Sequence, residues 1–162
     1  MGVTDVLSTI GMAAAPVGEL RFAIPWAVVK FDFTWYQAMT WAFIGNLIPV
    51  LILPWVLHRV GYKMLSFPQP IRGLLVWRTD RLRSSGGAWF SRYGRWALIP
   101  FVATPLPFTG AWTGVLAAWA FDIPPRKSIP MMVLGVLGAA IIVTTLTELG
   151  VSLSLFLGRE LE

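Results

Sequence analysis

Four stretches of this 162-residue chain are hydrophobic, but only two of them can cross a bilayer as unbroken helices. A hydrocarbon core about 30 Å thick needs about 20 apolar helical residues to span it. Phe33 to Leu57 carries no formal charge over 25 residues, with Asn46, Pro49 and Pro54 inside it, so a kink is expected there. Ile129 to Thr147 carries none over 19, and the chain then continues apolar past Glu148 to Leu157. The other two stretches are interrupted. Val6 to Val29 is split by Glu19 and Arg21 into uncharged pieces of 13 and 8 residues and contains Pro16 and Pro25. Trp96 to Phe121 is uncharged but holds the tract TPLPFTGAWTG, with Pro105, Pro107, Gly110 and Gly114. Broken backbone is tolerated at membrane depth only where it packs in protein or lines a wet cavity. Both stretches are therefore expected to be re-entrant hairpins of two half-helices, with breaks at Pro16, Pro25, Pro105, Pro107, Gly110 and Gly114. Paired interruptions of this kind point to a binding site between the halves.

Composition agrees with a membrane setting. The chain is 56% hydrophobic and 13% charged, with nine Trp and ten Phe, and its mean hydropathy is +0.68. The net charge of +5 would suit nucleic acid, but the basic residues lie between hydrophobic stretches, so membrane topology is the better reading and no nucleic-acid partner is expected. Without Cys there is no disulfide frame, thiolate nucleophile or Cys-ligated metal. The single histidine, His58, sits beside Arg59 at a membrane boundary and is given no role. No catalytic residue, metal site or cofactor is expected. The N-terminal MGVTDVLSTIGMAAAP lacks a basic leader and carries Asp5, so it reads as part of the mature protein.

Charge placement sets the topology. Arg59 to Arg95 holds eight of the 13 Lys and Arg with a single acid, Asp80. Such a loop is expected on the cytoplasmic side. Ile71, Leu74, Leu75 and Leu82 within it fall near one helical face, as in a helix lying on the membrane surface. Arg126 and Lys127 share that side only if Trp96 to Phe121 is re-entrant rather than spanning.

A weak internal repeat supports the same plan. KFDFTWYQA (30–38) resembles AFDIPPRKS (120–128) at an offset of 90, with Phe31/Phe121, Asp32/Asp122 and Gly45/Gly135 in register, and Pro16 matches Pro105 at an offset of 89. Asp32 and Asp122 are expected to end or cap half-helices. The expected fold is an all-α integral membrane domain over residues 1–162. It comprises two inverted repeats (about 3–59 and about 95–157), each a re-entrant hairpin followed by one transmembrane helix. A basic cytoplasmic loop with an amphipathic helix (about 60–94) joins them. Two crossing helices bury little alone, so a homodimer or higher oligomer is expected.

Glu19 and Arg21 sit where the first hairpin should turn. Ionisable groups at membrane depth are costly and are by default functional or paired. Glu19 suits proton or cation coupling; Arg21 suits an anionic head group, through its planar donor fork. In the second hairpin, Thr104, Thr109 and Thr113 can satisfy freed carbonyls, the N-terminal end of the following half-helix, near Thr109 to Ala111, presents N–H groups to an anion, and Trp112 is a further candidate. Asn46 is a candidate for the cavity wall and Arg95 for a phosphate ligand. The bland readings are an internal ion pair, a kinked spanning helix and an ordinary positive-inside residue.

Two segments carry a family resemblance. AAPVGELRFAIPWAV (14–28) and FVATPLPFTGAWTG (101–114) resemble the two signatures of the small multi-drug export protein family, in order and spacing over essentially the whole chain. That family is similar in plan to the DedA/VTT-type membrane proteins, whose paired re-entrant hairpins are implicated in moving lipids. Gly94-Arg95-Trp96 resembles the start of their second hairpin motif, but Phe101 stands where that motif has a second arginine, which leaves Arg21 to supply the second positive charge. The resemblance implies a transporter or flippase in the cell membrane of a prokaryote. Its substrate would be an anionic lipid such as a polyprenyl-phosphate carrier, or another small amphipathic anion, taken from among the membrane lipids it contacts. Proton-coupled export of lipophilic cations, with Glu19 as the exchanged acid, is the alternative. A membrane enzyme would need a nucleophile with a base, or clustered metal ligands; a membrane-shaping protein would need no charge in a hairpin.

Overall fold

The structure, a computed structural model, describes residues 2–64, 88–104 and 110–160. Every regular element among them is a helix. Pro105, Pro107, Thr109 and the expected surface helix around 71–82 lie outside the described residues.

Helix α1 (Val3–Ala14) starts at Gly2, whose N–H donates to Asp5 Oδ2 at 2.9 Å, so an acid in the first turn supplies the missing partner. It stops at Ala15, which is extended at φ −72°, ψ 146°. Proline disfavours helical backbone in the residue before it, and Pro16 follows. Helix α2 (Glu19–Phe31) runs straight through Pro25 and ends at Asp32, which is left-handed at φ 51°. Helix α3 (Trp35–Met64) opens with a capping pair: the Thr34 N–H donates to Gln37 Oε1 at 3.1 Å.

In the second half, helical residues 88–93 lead into a 3₁₀ turn at Gly94–Ala97 and helix α4 (Leu98–Ala103). α4 stops at Thr104, extended at φ −68°, ψ 121°, again immediately before a proline. Helix α5 (Ala111–Ala120) begins after Gly110, and Asp122, at φ 52°, is left-handed like Asp32. Helix α6 (Pro125–Glu160) begins with proline at its first position, where no N–H is needed.

Two helices are long and apolar enough to cross a membrane: Trp35–Arg59, with mean hydropathy 1.8, and Pro125–Ser154, with 2.3. α1 and α5 are apolar but too short to span, at 12 and 10 residues. Two of the expected breaks are corrected. Pro25 lies inside α2, where burial of Leu20, Ala23, Ile24 and Ala27 offsets the ladder bond that proline removes. Gly114 lies inside α5, where its missing side chain lets Val102 approach; an added methyl would sit 2.6 Å from Val102 Cγ2.

The described residues fall into two compact units. Unit 1 holds residues 1–47 and 137–162: α1, α2, the first part of α3 and the last part of α6. In it Gly45 presses α3 onto α1, so that an added methyl would meet the Ile10 carbonyl oxygen and sit 2.8 Å from Ala13 Cβ. Unit 2 holds residues 48–136: the rest of α3, α4, α5 and the start of α6. In it Gly135 presses α6 onto α4, and an added methyl would lie 2.9 Å from the Ile99 carbonyl oxygen and 2.7 Å from Val102 Cβ. Ile10 and Ile99, Ala13 and Val102, and Gly45 and Gly135 all correspond at the offsets of 89 and 90 found in the sequence. Burial follows the same register: Ala38, Ala42, Asn46 and Val50 form the covered stripe of α3, and Ser128, Met132, Val136 and Ala140 that of α6.

Candidate functional site

The turn between α1 and α2 positions the acid singled out in the sequence. Pro16 forces the chain out of α1, Gly18 passes so close to Met12 that an added methyl would be 2.5 Å from its carbonyl oxygen, and the Glu19 N–H donates to the Ala15 carbonyl at 3.2 Å. Glu19 then takes a left-handed backbone, φ 47°, and is the first residue of α2. Left-handed backbone costs an L-residue about 1–2 kcal/mol, and strain of that kind gathers at functional sites. The residue is also only 8% exposed. The positive end of the α2 dipole supports its carboxylate, and Arg21, half-buried two residues on, feels its charge. A buried carboxylate coupled to a guanidinium, on strained backbone between two apolar helices, is costly to build.

Asn46 is the second polar feature of unit 1. It is 2% exposed, and its Oδ1 has no hydrogen-bond partner among the described residues. An unmade acceptor costs about 1–3 kcal/mol, so the position is expected to meet a donor at some stage of function. Thr144, in the same unit, also has a buried Oγ1 without a partner among the described residues. Its neighbours Thr145 and Thr147 behave ordinarily, donating to the Ile141 and Val143 carbonyls at 2.9 and 2.8 Å. Thr144 gave no signal in the sequence because a threonine in an apolar helix normally bonds the preceding turn.

Unit 2 holds Arg95, Thr104 and Trp112. The Thr104 hydroxyl donates to the Pro100 carbonyl at 2.6 Å, serving the end of its own helix. Gly110 has φ 146°, ψ −166°, a conformation that requires glycine, and α5 starts directly after it. Its carbonyl accepts the Gly114 N–H at 2.7 Å. Trp112, in the first turn of α5, is partly exposed, and Thr113 beside it is buried. Arg95 is exposed, its guanidinium carbon 5.4 Å from the centre of the Trp96 ring. Glu19, Arg21 and Asn46 belong to unit 1.

One cavity in unit 2 was not foreseen. It has a volume of about 120 Å³, and its lining includes Pro54, His58, Trp119, Asp122 and Ser128. Pro54 and His58 come from α3, and the others from α5, the turn after it and the start of α6, so no local spacing joins the two stretches. His58, which carries no signal as a lone boundary histidine, is one of its polar walls. No group of three or more His, Cys, Asp or Glu able to hold a metal ion occurs among the described residues.

Residues 19–142, more than half of the chain, match the family described as "Putative small multi-drug export protein". No curated protein and no solved structure matches. The matched region starts at the strained, buried Glu19 and takes in the first spanning helix, both ends of the TPLPFTGAWTG tract and most of the second spanning helix. The chain is a membrane protein and belongs to the small multi-drug export protein family.

Proposed function

We propose that the protein is a membrane transporter in which Glu19 is the group that changes charge during the cycle. The observation that carries this reading is the placement of Glu19: buried, left-handed and at the start of a half-helix too short to span. Burial disfavours the charged form of a carboxylate and a nearby guanidinium favours it. Taking up a proton or a cationic group then shifts how it and Arg21 are paired. Asn46, with its unpartnered acceptor in the same unit, supplies a polar wall for whatever is carried.

The substrate we favour is an amphipathic anion such as a polyprenyl-phosphate carrier, with Arg21 as its phosphate ligand. A second reading is export of a lipophilic cation in exchange for protons. It is favoured by the deeper burial of Glu19 than of Arg21 and by the family description. Both use two re-entrant hairpins entering from opposite faces. The matched contacts of Gly45 with α1 and Gly135 with α4 support that plan. So does the make-up of each unit, which takes the first part of one long helix and the last part of the other, as oppositely running helices would. The basic loop is then cytoplasmic, in a prokaryotic cell membrane, and the working form is a homodimer or larger.

Purified protein in sealed vesicles, assayed in parallel for polyprenyl-phosphate movement and for proton-driven efflux of a fluorescent lipophilic cation, tests this. Glu19→Gln is expected to reduce the active transport at least 100-fold while the protein remains folded. Wild-type rates in Glu19→Gln would overturn the coupling role. Loss of lipid movement in Arg21→Gln with cation efflux intact would decide between the substrates.

A further inference from the structure

We propose that residues 89–96 form a head-group site for anionic membrane lipids, with Arg92 and Arg95 as the phosphate ligands on an aromatic platform. Three large aromatic side chains are exposed here within eight residues: Trp89 at 49%, Tyr93 at 44% and Trp96 at 55%. Trp89 and Tyr93 pack ring to ring, with centroids 4.8 Å apart. Each arginine lies over the ring that follows it in sequence: the Arg92 guanidinium carbon is 5.5 Å from the Tyr93 centroid, and that of Arg95 is 5.4 Å from the Trp96 centroid. Amphipathic rings of this kind settle at the head-group level of a membrane. A guanidinium held over a ring is part-desolvated and fixed in orientation, and its donor fork matches phosphate oxygens.

The segment is fixed from beneath by one residue. Phe90 is 5% exposed; it stacks on Phe121 at 4.2 Å and 11°, and meets Phe101 edge-on at 5.9 Å. The comparison with the first half of the chain shows why the place is open to it. There the matching residue, Phe31, packs against Phe33 at 5.9 Å, but the residue matching Phe33 is Ile123. Phe90 takes the ring contact that Ile123 cannot give. With Phe90 held inward, Trp89, Arg92, Tyr93, Arg95 and Trp96 are left outward, with no acid among residues 88–97 to compete for the arginines. Phe121 directly precedes left-handed Asp122 and the start of α6, so a bound head group stabilises the junction that leads into the second spanning helix. The proposal does not rest on the transport reading, since it uses the exposed side chains of residues 89–96 and not Glu19.

The test is thermal unfolding of the purified protein in neutral detergent, titrated with short-chain phosphatidylglycerol or phosphatidylcholine. The half-saturating concentration of phosphatidylglycerol is expected to be about 30-fold the lower, from about 1 kcal/mol per basic residue near an anionic surface. Arg92→Gln with Arg95→Gln is expected to erase the preference, Arg92→Lys with Arg95→Lys to keep most of it, and Arg126→Gln with Lys127→Gln to leave it intact. Salt that cuts the Debye length to about 3 Å is expected to abolish it in the wild type, which tests the charge effect without any mutation. Glu19→Gln should leave it unchanged, separating this site from the transport site. A preference that survives the double Gln variant or high salt would overturn the proposal. So would stabilisation by inorganic phosphate alone, which would mark a general anion site rather than a lipid surface.

Discussion

The first half-helix of the chain ends at Ala15 and its counterpart at Thr104, each extended and each directly before a proline. The following half-helices run into left-handed Asp32 and Asp122, and the two long helices press a glycine, Gly45 or Gly135, onto the half-helix that began the sequence. Yet the polar chemistry on this shared backbone differs. α3 is capped by Gln37 on the Thr34 N–H, whereas α6 opens with a proline. Asn46, buried with an oxygen unpartnered among the described residues, corresponds to Val136 in the repeat, and Arg21 corresponds to Ala111. The backbone plan is held in common, while the buried carboxylate and the buried amide among the described residues, Glu19 and Asn46, both lie in the first half, so the plan builds the scaffold and the departures from it build the site.

The hardest blow to this comparison would be dealt at the glycines. Gly45→Val and Gly135→Val should each destabilise by about 3 kcal/mol or more, because the added atoms meet helix backbone that cannot swing aside. Unfolding in detergent, followed by helical circular dichroism, measures this. Near-wild-type stability for one variant and collapse for the other would show that the two contacts are not equivalent.

Next come the buried positions where the halves differ. Val136→Asn should cost about 1–3 kcal/mol, since the apolar interior around it offers no designed partner for an amide. Asn46→Val, which gives the first half the residue of the second, should raise stability by up to about 1 kcal/mol and lower transport severalfold. A loss of both stability and transport in Asn46→Val would mean that the amide is structural.

Those positions also mark how far the sequence could be read. The spanning helices were legible because lipid forbids charge over a fixed length, and the ends of α1 and α4 because proline acts on the residue before it. Pro25 and Gly114 misled for one reason: their local signal is for a break, and burial of their neighbours outweighs it. The position of Glu19 was legible from its cost alone. Its left-handed backbone was not, because Ala15 to Gly18 set it jointly. The cavity beside His58 was hidden because two stretches far apart in sequence, 54–58 and 115–128, build it.

The smallest expected effect gives the finest discrimination. Asp32 and Asp122 hold the same left-handed conformation, at φ 51° and 52°. Replacing a non-glycine residue there by glycine removes a penalty of about 1–2 kcal/mol and returns about 0.5–1 kcal/mol as lost chain entropy. Backbone alone would therefore make Asp32→Gly and Asp122→Gly equally stabilising, by about 0.5 kcal/mol each, read as a small rise in melting temperature. The side chains differ in setting, however: both are exposed, but Asp122 also lines the cavity that holds His58 and Trp119. If Asp122→Gly is the less stabilising and Asp122→Asn, which keeps left-handed tolerance without the charge, falls on the same side, the carboxylate contributes to the cavity. Equal gains at both positions would instead make these aspartates interchangeable helix ends, and the cavity a packing gap.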